Sequence, residues 1–206
     1  ERLGRFYVEL RGAGLVEALP PPAFDTDGVP VRAAARLLAD YVLRASEGLM
    51  REAGNVISVL TLVALLVEQK RIDEAVSQLQ QGLELNPSNS AFAMLLARIL
   101  VDRQSLADAV SVLQKHAPSA GTSADYHAFL AALYQRLSRH DEAIREYKIA
   151  LQLSPRAGVW WVGLGISQEA AGHRQEALEA FRQARAAGNL ASDVLTYVDQ
   201  RLKSLQ

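Results

Sequence analysis

Gly163 and Gly165 form a Gly-x-Gly, the spacing with which a dinucleotide-binding turn brings backbone N–H groups up to a pyrophosphate. That chemistry needs the glycines between a strand and a helix. Here they follow Trp160 and Trp161 inside a stretch with helical apolar spacing, which predicts a packing role. Imidazoles are the next candidates, because a pair at i, i+3 or i+4 with a carboxylate would hold zinc. His116, His127, His140 and His173 form no such pair: His116 is expected within a helix, and His140 and His173 in turns between helices. Asp73-Glu74, Asp141-Glu142 and Glu176 would serve as acid and base only if two carboxylates shared one cleft. They recur instead at one place in a repeated pattern, as helix starts whose negative charge complements the helix dipole. With no cysteine there is no disulfide, thiolate ligand or Cys nucleophile. No catalytic residue, metal ligand or cofactor is therefore assigned, and the expectation is a protein that is not an enzyme.

The chain has 206 residues, 50% of them hydrophobic, enough to bury a core. Its 22 Lys and Arg nearly cancel its 23 Asp and Glu, so a net charge of -1 gives no broad attraction for a polyphosphate and nucleic acid is not expected as a partner. The longest apolar run, residues 56–67, is broken only by Ser58 and Thr61; at about 12 residues it falls short of the roughly 20 that span a bilayer. No membrane span is expected. The opening at Glu1 without an initiator Met suggests a fragment or processed chain whose signal or anchor lay upstream.

The elements that position these residues follow from a period. Ala75, Ala109, Ala143 and Ala177 stand 34 residues apart, followed four residues later by Leu79, Leu113, Tyr147 and Phe181. Twelve residues before each alanine stand Val63, Ala97, Ala131 and Gly165, each preceded by leucine at Leu62, Leu96, Leu130 and Leu164. Apolar spacing of three and four, as in Ile144, Tyr147 and Leu151, predicts two amphipathic helices per unit, brought close by the small residues. Pro87 and Pro155 then close the second helix. This pattern resembles the tetratricopeptide repeat. The resemblance implies an all-α, right-handed solenoid of antiparallel helix pairs, with repeats at residues 56–89, 90–123, 124–157 and 158–191. Residues 192–206 are predicted to form a capping helix with Ser192 as N-cap and Val194, Leu195, Val198, Leu202 and Leu205 as its stripe. Residues 31–55 hold a degenerate repeat or N-terminal cap, and residues 1–30 an irregular segment in which residues 5–10 fit a helix or a strand.

In the tetratricopeptide fold the first helix of each pair lines a concave surface, and its positions 2, 5, 6, 9, 12 and 13 face a ligand. Carried onto this chain, they give a partner-binding groove of Ile57, Leu60, Met94, Leu95, Arg98, Phe129, Val159, Val162 and Ile166, with Gly163, Gln135 and Glu169 also on that face. The Lys and Asn that chaperone-binding relatives use to clamp a C-terminal carboxylate are replaced at positions 5 and 9 of the first repeat by Leu60 and Ala64. An apolar groove with Arg98 at its centre predicts a protein or peptide partner, an amphipathic helix or apolar segment, with the chain's own N-terminal segment as the alternative occupant.

Residues 160–165 and the tail Asn189-Leu190-Ala191-Ser192 through Tyr197-Val198-Asp199-Gln200-Arg201-Leu202 further resemble the MshN-type biogenesis proteins of the mannose-sensitive haemagglutinin (MSHA) pilus, a type IV system. That resemblance implies a pilus or secretion assembly factor, periplasmic and associated with the inner membrane; without it a cytoplasmic protein is expected. The alternatives are a general tetratricopeptide adaptor or co-chaperone in another pathway, and the regulatory module of an enzyme whose catalytic domain is elsewhere.

Overall fold

The computed structural model describes residues 56–117 and 123–205. The readings of residues 1–30 and 31–55 lie outside them. The described residues form helices α1 (Val56–Glu68), α2 (Ile72–Leu85), α3 (Ser90–Asp102), α4 (Leu106–Lys115), α5 (Ala124–Arg136), α6 (His140–Leu153), α7 (Gly158–Ala170), α8 (Arg174–Ala186) and α9 (Ser192–Ser204), with no strand among them. None of these helices is long and apolar enough to cross a membrane. Two compact units divide the chain, Glu1–Gln78 and Leu79–Gln206. In the first, α1 buries Val59, Leu62, Val63 and Leu66, a stripe at helical spacing, and α2 contributes Ala75.

In the second unit each helix from α3 to α9 packs on the next, and α5 also touches α7. Ala97 and Ala109, then Ala131 and Ala143, are fully buried. Their small side chains let paired helices approach closely, so the period seen in the sequence is a steric one. Glycine extends the device. A Cβ on Gly82 would stand 2.7 Å from the Phe92 ring, and one on Gly165 2.9 Å from Phe181. Gly163 faces a different neighbour: a Cβ there would come within 2.5 Å of the Tyr147 hydroxyl oxygen. Thus α7 receives one aromatic ring from α6 and another from α8, at two glycines separated by a single residue.

Every turn between the two helices of a pair ends in the same backbone conformation. Lys70, Gln104, Ser138 and Gly172 all have positive φ, between 59° and 83°, at 34-residue intervals. At Lys70, its own N–H donates to the Val67 carbonyl and the Arg71 N–H to the Leu66 carbonyl; Gln104 with Ser105, Ser138 with Arg139 and Gly172 with His173 repeat this arrangement. These are Schellman motifs, which satisfy the last carbonyls of the first helix. Only Gly172 carries the residue that favours this region. Gly172→Ala is therefore expected to cost about 1 kcal/mol through backbone strain alone, since no atom lies within 4 Å of the new Cβ. Gln104→Gly is expected to gain a similar or smaller amount, about 0.5–1 kcal/mol. Urea denaturation measures both, and a Gly172→Ala chain as stable as its parent would overturn the strain argument.

Four expectations need correction. His140 is the first helical residue of α6, with Arg139 at the cap, and does not lie in the turn. His116 lies just beyond α4, not within it. α4 stops at Lys115, because the proline at 118 disfavours helical backbone at the residue before it, and the His116 Nδ1 sits 2.8 Å from the Pro87 carbonyl oxygen. Ser192 is the first helical residue of α9; Ala191 occupies the cap and supplies no side-chain bond. Leu195 remains 37% exposed, whereas Val198, Leu202 and Leu205 are buried and Val194 packs beside them.

Candidate binding surface

The first helices of the pairs in the second unit, α3, α5 and α7, carry the predicted ligand face. Asn89 starts α3 by accepting a hydrogen bond from the Phe92 N–H at 3.1 Å, and Ser123 starts α5 by accepting from the Tyr126 N–H at 3.3 Å. Phe92 and Tyr126, just inside these caps, are buried and turn α3 and α5 so that Met94, Leu95 and Phe129 are left half-buried at the edge of the core. Arg98, one turn beyond Met94, is exposed, and its guanidinium carbon lies 5.8 Å from the centre of the Phe129 ring. This cation–π contact joins α3 to α5.

The α4–α5 junction behind this face is tied by hydrogen bonds. The Tyr126 hydroxyl donates to the Leu113 carbonyl, and the Gln114 amide donates to the Tyr134 hydroxyl at 2.8 Å. Burial raises the Tyr126 phenol far above its usual range, so it remains a neutral donor. Within the next pair, His127 Nδ1 stands 2.7 Å from a Glu146 carboxylate oxygen and links α5 to α6. Here a residue read as an isolated imidazole spans a helix seam. Among the described residues no group of three or more His, Asp or Glu side chains is arranged to hold a metal.

Towards α7 the predicted face becomes structural. The Gln135 amide donates to the Gly163 carbonyl at 2.9 Å and to the Ser167 hydroxyl at 2.8 Å, so this side chain serves the α5–α7 contact. Gly163 faces Tyr147, whose phenol burial pushes up to about 12. Val162 is only 7% exposed and belongs to a core with Phe181, Val198 and Leu202, against which Ile166 also packs. Glu169 is held by an ion pair with Arg201 of α9, with the Arg201 Nε 3.0 Å from its second oxygen. Of the predicted α7 residues, Val159 is open, at 61% exposure, as is the small Ala170 at the end of the helix. In the other unit, Ile57 lies in the first turn of α1 and Leu60 is half-buried. Sequence reasoning missed the roles of Gln135 and Glu169, whose partners lie 32 residues away at Ser167 and Arg201, close to the repeat period; that spacing was the available signal.

Two family profiles, both described as tetratricopeptide repeat, match residues 66–133 and 130–192. Among solved structures the chain is similar to MamA, at 20% identity and a TM-score of 0.59, over 78% of this chain and 93% of that one. It is also similar to MamA from AMB-1, at 26% identity and a TM-score of 0.57, over 80% and 92% of the two chains. YrrB, described as a tetratricopeptide protein with an unusual peptide-binding site, aligns at 14% identity with a TM-score of 0.65, over 78% of this chain and 80% of its own. These likenesses and the helices above make the fold an all-α tetratricopeptide solenoid. Among proteins with curated descriptions none matches the chain.

Proposed function

We propose that this chain, which carries tetratricopeptide repeats over residues 66–192 and belongs to that family, is a non-catalytic scaffold binding an amphipathic helix or apolar peptide segment. The observation that carries this reading is the face formed by Met94, Leu95 and Phe129, half-buried large apolar side chains on successive first helices with Arg98 laid over the Phe129 ring. Such side chains are not fully used by the helix seams, and burying them against a partner gains apolar contact. Peptide binding, named for YrrB, is consistent with the same use of the fold. Val159 adds an apolar edge on α7; Val162 and Ile166 support it from the core, and Ile57 and Leu60 are candidates for the same role in the first unit. The finer reading is an assembly factor for a type IV pilus or related secretion machinery. Its support is the likeness of residues 160–165 and of the tail from 189 to 202, and normal piliation of a host lacking the protein would remove it.

The test uses amphipathic peptides selected for binding from a display library. Phe129→Ala and Leu95→Ala are each expected to weaken a selected peptide about tenfold or more, with melting temperature nearly unchanged. Equal binding by the parent and both variants would overturn the assignment of this face. A large loss of stability in the free variants would place the chain's own N-terminal segment there instead.

A further inference from the structure

We propose that the segment bound at this face presents a side-chain carboxylate, Asp or Glu, from the middle of its apolar stripe to Arg98. The inference rests on the reading above and names the chemistry of its occupant. Arg98 is exposed, and among the described residues it takes part in no ion pair or hydrogen bond; its contact is the Phe129 ring, 5.8 Å away. Other arginines at helix starts and seams are paired: Arg139 with Glu142, Arg201 with Glu169 and Arg185 with Asp199.

A guanidinium lying on an aromatic face keeps its N–H edge free for an acceptor, and the ring restrains its position in advance. Adding an apolar partner over Met94, Leu95 and Phe129 removes water from that edge. The charge then needs a counter-charge from the partner itself, since an unpaired cation is costly once desolvated. Apolar side chains lie to either side along α3, Leu95 nearly one turn before Arg98 and Val101 nearly one turn after, with Phe129 across from it. A carboxylate arriving there must therefore be flanked by apolar residues on both sides, which suits a side chain within a segment and not a chain terminus. Two acids bound the face, Asp102 one turn further along α3 and Asp125 one turn before Phe129 on α5, with Arg136 at the far end of α5. The pattern Asp125, Arg98, Asp102 asks for a central acid in the occupant with basic residues towards the edges, the arrangement opposite in sign to the face.

The test screens a displayed library of amphipathic peptides of about 15 residues, long enough to form a helix on binding, against the full chain and against Arg98→Glu. The expected result is enrichment of Asp or Glu at one fixed place among the apolar anchors for the parent, and of Lys or Arg at that place for Arg98→Glu. Affinity of a selected acidic peptide should fall about tenfold in Arg98→Gln and about thirtyfold in Arg98→Glu, with the latter restored when the peptide acid is replaced by Lys. Because Arg98 is exposed, both variants should melt with the parent. Peptides that lose binding in Phe129→Ala but show no acidic preference, or that bind Arg98→Glu as well as the parent, overturn the carboxylate and leave the groove standing. Failure to enrich any peptide sensitive to Phe129→Ala overturns the groove and the carboxylate together.

Discussion

Phe181→Ala lowers the free energy of unfolding by about 3–5 kcal/mol, the cost of emptying a fully buried aromatic site that cannot collapse. The ring is 0% exposed and stands at the centre of the core that α7, α8 and α9 share with Val162, Leu178, Val198, Leu202 and Leu205. Gly165 has already brought α7 as near to the ring as a backbone comes, so truncation leaves a void that α7 cannot fill without bending. The Tyr197 ring meets Phe181 edge to face, with centres 6.3 Å apart, and holds α9 from the other side. Urea denaturation followed by helical circular dichroism reads the change. A loss below about 1 kcal/mol would mean that α9 is not docked on this ring.

Gly163→Val costs about 3 kcal/mol, the upper part of the range for overpacking a close helix contact. Its Cβ would meet the Tyr147 ring and hydroxyl, and Tyr147 is 5% exposed, so the ring has little room to retreat. Alanine at the same place costs less, because the gain in helix propensity of about 1 kcal/mol over glycine offsets part of the clash. The clash is pairwise and so it should be non-additive. Combining Gly163→Ala with Tyr147→Ala should cost less than the sum of the two single changes, by an interaction energy of about 1 kcal/mol. Strict additivity would show that Tyr147 is not what requires the glycine.

The all-α fold was legible because its constraint is steric and periodic. Ala109, Ala143 and Ala177 are fully buried where paired helices meet, so the preference for a small residue reappears in the sequence with every repeat. The Schellman turns were not legible: Lys70, Gln104 and Ser138 adopt a backbone conformation that their identities do not favour, and only Gly172 advertises it. At the candidate surface, helical register placed Met94, Leu95, Arg98 and Phe129 on one face of the first helices, but it carries no depth. It could not distinguish Phe129, half-buried, from Val162, which α9 helps enclose in the core. Nor could it show that Gly163 answers to Tyr147 in the preceding helix. That contact depends on how two helices lean, which a single strand of residue types does not record. His116 failed for a local reason, since the proline at 118 shortens the helix that the period alone would continue.

The α4–α5 junction has a mechanical meaning. An array whose members touch chiefly their neighbours behaves as springs in series, and its compliance collects in the softest joint. α4 is ten residues long, shorter than any other described helix, and of the successive pairs from α3 onward α4 and α5 pack least extensively. Two hydrogen bonds cross this junction, the Tyr126 hydroxyl donating to the Leu113 carbonyl and the Gln114 amide donating to the Tyr134 hydroxyl. Arg98 and Phe129 stand on opposite sides of that joint, on α3 and α5. A small bend there would open or narrow the span between them while the alanine and glycine seams on either side stay closed, which makes this joint the place where such an array is expected to yield first.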